Sequence, residues 1–283
     1  MEEMKIIETR SVEVDDLGKD RSLIHEAVMA GCKVGAGRDF WTKLAHDEDL
    51  FRRVVELVEK SNAVESPIST PPVITYEPTP SQIRAREIMG RNFLGIEEMT
   101  KHYKISPTLE QLETLAEIPF SEEMIEEHKY KYLLVAGSPI TIVDMRAKTL
   151  LKKPKIFYSN EDASWYNIQG FANTEKVGLN WYFIRKTAIR DSFDKKFTDQ
   201  IGFLGLNEEV PRACELVYAV VLYFLSTGER LFGDVYARCI DLTSDGTGPR
   251  ISVGNFTLSG IIIKSYWGDK DYDYVGLASC LKS

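Results

Sequence analysis

The apolar pattern of the chain centres on one helix. Residues 213–225 are almost all apolar, and Glu215 is the only charged residue among them. Asn207 suits the N-cap of this helix, Pro211 its first turn, and Gly228 a left-handed stop after its last turn. A helix that is apolar on all faces must be covered by other elements. We therefore expect this helix at the centre of the fold.

After this helix the apolar residues alternate with polar ones, which is typical of strands. Turn residues separate the alternating stretches, with Gly and Asp at residues 244–249 and again at 268–269. The pattern predicts four strands, at residues 235–242, 251–256, 260–266 and 274–281. The C-terminal part of the chain therefore reads as an antiparallel β-meander packed on the buried helix.

The segments before the central helix are mostly helical. Five of the eleven prolines fall within residues 61–81, which indicates an extended linker. Thr108 and Gln111 form the pattern of a capping box, and a β-like run follows at residues 132–143. We predict an α+β fold whose N-terminal half is helical. Its domains are a small helical unit (1–60), a Pro-rich linker (61–81), a helical block (82–130) and an α+β domain with the meander (131–283).

The net charge and the N-terminal sequence limit what the protein is expected to bind and where it is expected to act. The net charge of −8 argues against a general affinity for DNA or anionic membranes. The N-terminus lacks the basic and apolar regions of a signal peptide, and the longest apolar run is about half of the ~20 residues that a membrane span needs. We therefore expect a cytoplasmic protein without a membrane span. Its four cysteines form no CxxC pair, although Cys239 and Cys280 lie in predicted strands that could meet.

No catalytic motif stands out in the sequence. Gly35 and Gly37 resemble a phosphate loop, but a helix precedes them and the third glycine is missing, so a hinge between helices is the better interpretation. Glu98 and His102 share a helix face, but no second ligand pair accompanies them. No serine lies in a G-x-S-x-G elbow. The sequence names no nucleophile.

The most unusual composition lies at residues 265–274. Tyr, Trp, Ser, Gly and Asp are residues that recognition surfaces use, because aromatic rings supply contact area at low entropic cost. The sequence therefore predicts a protein that binds a protein or glycan partner, and the candidate binding residues are Tyr266, Trp267, Asp269, Asp271, Tyr272, Asp273 and Tyr274. The alternating Asp269, Asp271 and Asp273 could also hold Ca²⁺, although the glycine and glutamate of an EF-hand are replaced by Tyr274 and Cys280.

Two alternatives remain open. One is a small-molecule enzyme with a pocket between the helical block and the sheet, which would use Asp144 or Asp241 with Trp165 and Trp181. The other is a single-stranded nucleic-acid binder that uses the basic segment 146–155 beside Trp165 and Tyr166. The basic residues of that segment are Arg146, Lys148, Lys152, Lys153 and Lys155.

Two segments resemble known sequences. The stretch GCKVGAGRDFWTKLA at residues 31–45, and GERLF at 228–232 with the SDG of residues 244–246, resemble uncharacterised proteins of uncultured candidate-phylum bacteria. Members of that set look alike over the body and differ most along the tail. The tail is also weakly similar to C-type-lectin-fold variable proteins diversified by retroelements, which it matches at Gly276, while residues 238–240 (RCI) replace the Arg-Gly-Gly-Ser-Trp element. The resemblance transfers no catalytic residue to this chain, and the binding face of the tail is predicted from its composition alone.

Overall fold

The computed structural model describes residues 37–50, 52–54, 76–158, 161–243, 246 and 248–282. The chain divides into two compact units, Met1–Val73 and Ile74–Ser283. In the first unit, helix α1 is Arg38–His46. After it, the Asp47 carboxylate accepts the backbone N–H of Leu50 at 2.9 Å, which is the bond of an N-cap to the helical residues that follow. The rest of the predicted unit 1–60, with Gly35 of the predicted hinge, and most of the linker 61–81 lie outside the described residues.

The second unit begins with short capped helices. These are α2 (Pro80–Met89), α3 (Ile96–Tyr103), α4 (Leu109–Thr114) and α5 (Glu122–His128). Thr108 and Gln111 form the predicted capping box at the start of α4. Ser121 caps α5 by accepting the backbone N–H of Met124 at 3.3 Å. These helices lie within or next to the predicted helical block 82–130, whose bounds as a domain stay a prediction, and their starts are fixed by local side-chain caps.

The strands of the second unit form two sheets. The strands are β1 (Phe93–Leu94), β2 (Tyr132–Ala136), β3 (Trp181–Arg185), β4 (Glu208–Glu209), β5 (Tyr236–Leu242), β6 (Arg250–Thr257), β7 (Gly260–Tyr266), β8 (Val275–Leu277) and β9 (Cys280–Lys282). The first sheet has the order β1-β2-β3-β9-β4, and only β1 and β2 are parallel in it. The second sheet has the order β7-β6-β5-β8. Together with the helices, these sheets confirm the α+β class.

The predicted meander is present, but its fourth strand is divided. Strands β5, β6 and β7 pair antiparallel in sequence order, as predicted. The predicted strand 274–281 is instead two short strands: β8 pairs parallel with β5, whereas β9 joins the first sheet beside β3. The break falls at Ala278 and Ser279, where the Ala278 N–H bonds the Arg238 carbonyl and the Ser279 carbonyl accepts the Arg185 N–H. The last residues of the chain therefore join the two sheets.

The central helix α9 is Ala213–Thr227, and residues 213–224 are all buried. Its predicted start at Asn207 is wrong, because Glu208 and Glu209 pair with β9 as strand β4 and the residue before Pro211 is disfavoured in a helix. The helix begins after Arg212 instead, where the Asp241 carboxylate accepts the Ala213 N–H at 2.5 Å. Its predicted end is correct, since Gly228 adopts the left-handed conformation with φ 77°.

The buried helix α9 binds the two sheets into one core. Its buried apolar residues belong to the same apolar cluster as Leu134 of β2 and Val253 of β6. Tyr218 links α9 to two neighbours: its hydroxyl donates to the Ala136 carbonyl at 2.9 Å, and its own carbonyl accepts the Tyr103 hydroxyl at 3.0 Å. Both polar groups of Tyr218 that lie inside this core are thus paired, as burial requires.

One predicted strand is a helix. Residues 140–143 were expected to continue the β-like run, but helix α6 spans Ile142–Thr149. Thr141 and Asp144 form a capping box at its start, and this local pairing outweighs the β-branched residues of the run. The remaining short helices are α7 (Gly170–Asn173) and α8 (Phe197–Gln200).

Two sequence expectations concern the environment of the protein. Within the described residues, no helix has the length and apolar character to cross a bilayer.

Cys239 and Cys280 are both buried and influence each other electrostatically, although they lie in different sheets. Burial raises the pKa of the Cys239 thiol well above its usual value, with smaller contributions from Asp241 and Cys214, so this thiol is protonated at neutral pH.

Candidate functional site

The predicted binding residues lie on one connection, residues 267–274, which we call the tail loop, and at the end of β7. Trp267 is 50% exposed and Tyr274 41% exposed, and the three aspartates of the loop are exposed. Tyr266 and Tyr272 are half-buried. The loop therefore exposes Trp267, Tyr274 and its three aspartates, whereas Tyr266 and Tyr272 are partly covered.

Four tyrosines form a contiguous group that we call the tyrosine cluster: Tyr236, Tyr266, Tyr272 and Tyr274. The ring centroids of Tyr266 lie 4.9 Å from Tyr272, 5.5 Å from Tyr236 and 5.7 Å from Tyr274. Most of these pairs meet edge to face, which is a favourable aromatic geometry. Burial, and then the neighbouring tyrosines, raise the pKa of the Tyr266 hydroxyl, so it stays protonated at neutral pH. The rings of the loop are thus held in place by one another.

The buried side chain of Arg238 donates hydrogen bonds to the backbone of the tail loop. Arg238 of β5 is 0% exposed, and its guanidinium donates to the Trp267 carbonyl at 3.3 Å and to the Lys270 carbonyl at 3.4 Å. It also donates to the Gln200 side chain at 2.8 Å and lies 5.8 Å from the Tyr272 ring centroid. Among the described residues Arg238 has no carboxylate partner, and burial lowers its pKa. Its charge is used to hold main-chain oxygens of the loop.

Other main-chain bonds complete this anchoring. The N–H of Phe197 donates to the Gly268 carbonyl at 2.8 Å, and the N–H of Asp194 donates to the Tyr272 carbonyl at 3.0 Å. The Tyr236 N–H donates to the Tyr274 carbonyl at 2.9 Å. The loop is therefore fixed through its backbone, which leaves the side chains of the loop available for other contacts.

One glycine beside the loop is required for close packing. A Cβ on Gly276 of β8 would lie 2.8 Å from the Ala188 Cβ and 2.9 Å from the Phe193 ring. Such distances are shorter than carbon contacts allow. Gly276 thus has a packing role in this chain.

Several residues of this site were missed by the sequence analysis. Tyr236, Arg238 and Gln200 lie about 30 to 70 residues before the tail loop, and no local spacing links them to it. In the alternating strand 235–242, Arg238 shares a strand face with Tyr236 and Ile240, and an arginine is unusual at such a position. That mismatch is the one signal in the sequence that marks it.

No family model, curated protein or solved structure matches this chain. The similarity to candidate-phylum bacterial proteins and to the variable lectin-like proteins therefore stays a prediction. What the site can do is decided by its own geometry.

The sequence analysis named a possible Ca²⁺ site on the tail loop. Among the described residues, no group of three or more His, Cys, Asp or Glu side chains lies where it could hold a metal ion. The expected Ca²⁺ site at Asp269, Asp271 and Asp273 gains no support from this geometry and stays a prediction.

The residues of the enzyme alternative have structural contacts. Asp144 caps α6 and Asp241 caps α9. The indole N–H of Trp181 donates to the Leu115 carbonyl at 3.0 Å, and that of Trp165 donates to the Ile263 carbonyl at 3.4 Å. Capping and packing account for these four residues without a reaction.

The basic segment 146–155 offers little aromatic surface to nucleic-acid bases. Arg146 lies on α6, donates to the Asn167 side chain at 3.2 Å and lies 5.7 Å from the Tyr166 ring centroid. Tyr166 is 3% exposed, and Trp165 is partly buried against the core. Base stacking, on which single-strand binding depends, therefore has few exposed rings here.

Proposed function

We propose that the protein is a recognition protein that binds a partner through the tail loop and the tyrosine cluster. The observation that carries this proposal is how the loop is held. Carbonyl oxygens of the loop accept hydrogen bonds from Arg238, Asp194, Phe197 and Tyr236, while Trp267 and the aspartates face solvent. A surface held by its backbone is preorganised and loses little entropy on binding.

The chemistry of the surface favours a partner that carries lysine or arginine side chains. Within residues 267–274, three aspartates and one lysine give a net charge of −2 (one minus three). Aromatic faces attract cations as well, so the carboxylates and the rings select for the same kind of group. Exposed Trp and Tyr side chains are frequent interface hot spots. The partner that fits is a protein segment with basic residues.

The proposal predicts the outcome of a peptide selection. A random peptide library is selected on the immobilised full chain, and the enriched peptides are titrated against the wild type and the Trp267→Ala/Tyr274→Ala double variant. We expect enriched peptides to carry Arg or Lys and to bind the double variant about 30-fold or more weakly, since hot-spot truncations cost about 2 kcal/mol or more. A glycan array with the same protein is the second arm.

Leu206→Ala is the matched control, because Leu206 is fully exposed and lies outside the tail loop. This variant should bind the selected peptides like the wild type, and the melting temperatures should show that all three proteins are folded. Peptides that bind the double variant as tightly as the wild type would contradict the proposal. Binding to glycans alone would assign the surface to a glycan partner and contradict the proposal that the partner is a basic protein segment.

A further inference from the structure

A second concave site lies outside the tail loop. It is a groove of about 480 Å³ between the end of α2, the residues after α5 and the residue after β3. This volume lies within the range of small-molecule sites, about 300–1,000 Å³. The groove shares no residue with the recognition surface, so its function is independent of the one proposed above.

The groove gathers positive charge in an acidic protein. Arg91, Lys129 and Lys186 line it, and Glu229 is its one acidic lining residue within the described chain. Three cations and one carboxylate leave a net charge of +2 at the lining, whereas the whole chain carries −8. Arg91 pairs with Glu229, and Lys129 pairs with Glu126 at 2.7 Å. Local positive charge of this kind concentrates anions.

Lys186 is the cation with unused binding capacity. Its ammonium group donates to the Asn92 side-chain oxygen at 3.1 Å and lies 5.4 Å from the Tyr223 ring centroid. Within the described residues it makes no ion pair, although an ammonium has three donors. Burial lowers the pKa of Lys186; the Glu229 carboxylate offsets part of this effect, and the nearby Arg91 adds to it. An anion bound in the groove would accept hydrogen bonds from the Lys186 ammonium group and would therefore raise its pKa again.

The same groove has an apolar and aromatic wall. Ile88 and Met89 line it at the end of α2, and Tyr130 lines it with 77% of its surface exposed. Asn92 is held by its own bond to the Lys129 carbonyl at 2.6 Å, so the polar side of the groove is fixed. The groove therefore combines a cationic end with a surface for an organic group.

We propose that this groove binds a small organic phosphate monoester. The dianionic phosphate matches the net positive charge of the lining and accepts hydrogen bonds from Lys186 and Arg91, while the organic part lies against Tyr130 and Ile88. Arg and Lys are the side chains that recognise phosphate, and Asn92 orients the lysine.

Phenyl phosphate is the probe that tests this site, with phenyl sulfate as a monoanion of similar shape. Binding is measured by calorimetric titration of the full chain. We expect saturable binding of phenyl phosphate, weaker binding of phenyl sulfate, and a loss of about tenfold or more in affinity for Lys186→Gln, because a charge-assisted hydrogen bond is removed. Tyr130→Ala should weaken phenyl phosphate while leaving inorganic phosphate unchanged.

Lys264→Gln is the control, because Lys264 is an exposed lysine on β7 outside the groove. It should bind phenyl phosphate like the wild type. No saturable binding to the wild type, or equal binding by Lys186→Gln and the wild type, would overturn the proposal. Tyr130→Ala keeps the test valid if Lys186→Gln does not fold, since Tyr130 is largely exposed.

Discussion

Replacing Tyr218 by alanine should lower the free energy of unfolding by about 3–5 kcal/mol, the usual cost of removing a buried aromatic ring. Tyr218 lies on α9, is 1% exposed, and stacks on Tyr103 with 5.1 Å between ring centroids. Its truncation would leave a cavity beside the central helix and deprive the Ala136 carbonyl of its donor. Since small domains have about 5–15 kcal/mol in total, this change would remove a large share of the stability. Urea unfolding measures it.

Tyr218→Phe separates the ring from its hydroxyl. This variant keeps the packing and loses only the bond to Ala136, so we expect a cost of about 1–3 kcal/mol. Tyr130→Phe is the control, because the Tyr130 side chain is exposed and its change should stay within about 0.5 kcal/mol. A Tyr218→Ala cost close to that of the control would mean that α9 is not the centre of the core.

Replacing Arg238 by methionine should release the tail loop. The loop would lose two main-chain anchors, at Trp267 and Lys270, and Gln200 would lose the guanidinium it holds. The two bonds to the loop are long, at 3.3 and 3.4 Å, so we expect their combined loss to cost about 1.5–3 kcal/mol, the usual contribution of one hydrogen bond from a charged group. Local opening should then become about tenfold to a hundredfold more frequent. The amides of Asp194 and Phe197, which bond loop carbonyls, are the reporters for hydrogen exchange.

The overall stability should change much less than the loop. Arg238 is a buried cation without a carboxylate partner in the described chain, and removing such a charge recovers desolvation free energy that offsets the lost bonds. Arg190→Met, on an exposed arginine, is the control and should leave the exchange of both reporter amides unchanged. Unchanged exchange in Arg238→Met would show that the loop does not depend on its buried anchor.

Much of the fold could be predicted from local patterns. The end of α9 at Gly228, the capping box of Thr108 and the three strands of the meander each depend on neighbouring residues in the sequence. Such features are encoded locally, because caps, turns and a period of two need only a few residues. These are the elements for which the sequence analysis was correct.

The errors come from contacts between distant segments or from competing local signals. The start of α9 was misplaced because Glu208 and Glu209 pair with β9, about 70 residues further along the chain. Residues 274–281 were read as one strand, yet Ser279 turns the chain into the other sheet. At residues 140–143 the β-branched run hid the Thr141 and Asp144 capping box. Pairing across the fold cannot be read from spacing along the chain.

The candidate site divides in the same way. Its exposed side chains were predicted because they follow one another in the tail loop, from Trp267 to Tyr274. Its anchors were not predicted, because Gln200 and Arg238 reach the loop only through the packing of α8 and β5 against it. The exposure of the loop side chains could thus be predicted from composition, whereas the contacts that hold the loop in place became visible only in the structure.

The central claim is that the tail loop is a binding surface whose side chains are not needed for folding. A saturation scan of residues 236–282, displayed on cells, tests it by scoring protease resistance and binding to the tightest selected peptide separately. We expect substitutions at Trp267, Asp269, Asp271, Asp273 and Tyr274 to reduce binding and leave protease resistance unchanged. Substitutions at these positions that unfold the protein, or that leave binding intact, would contradict the claim.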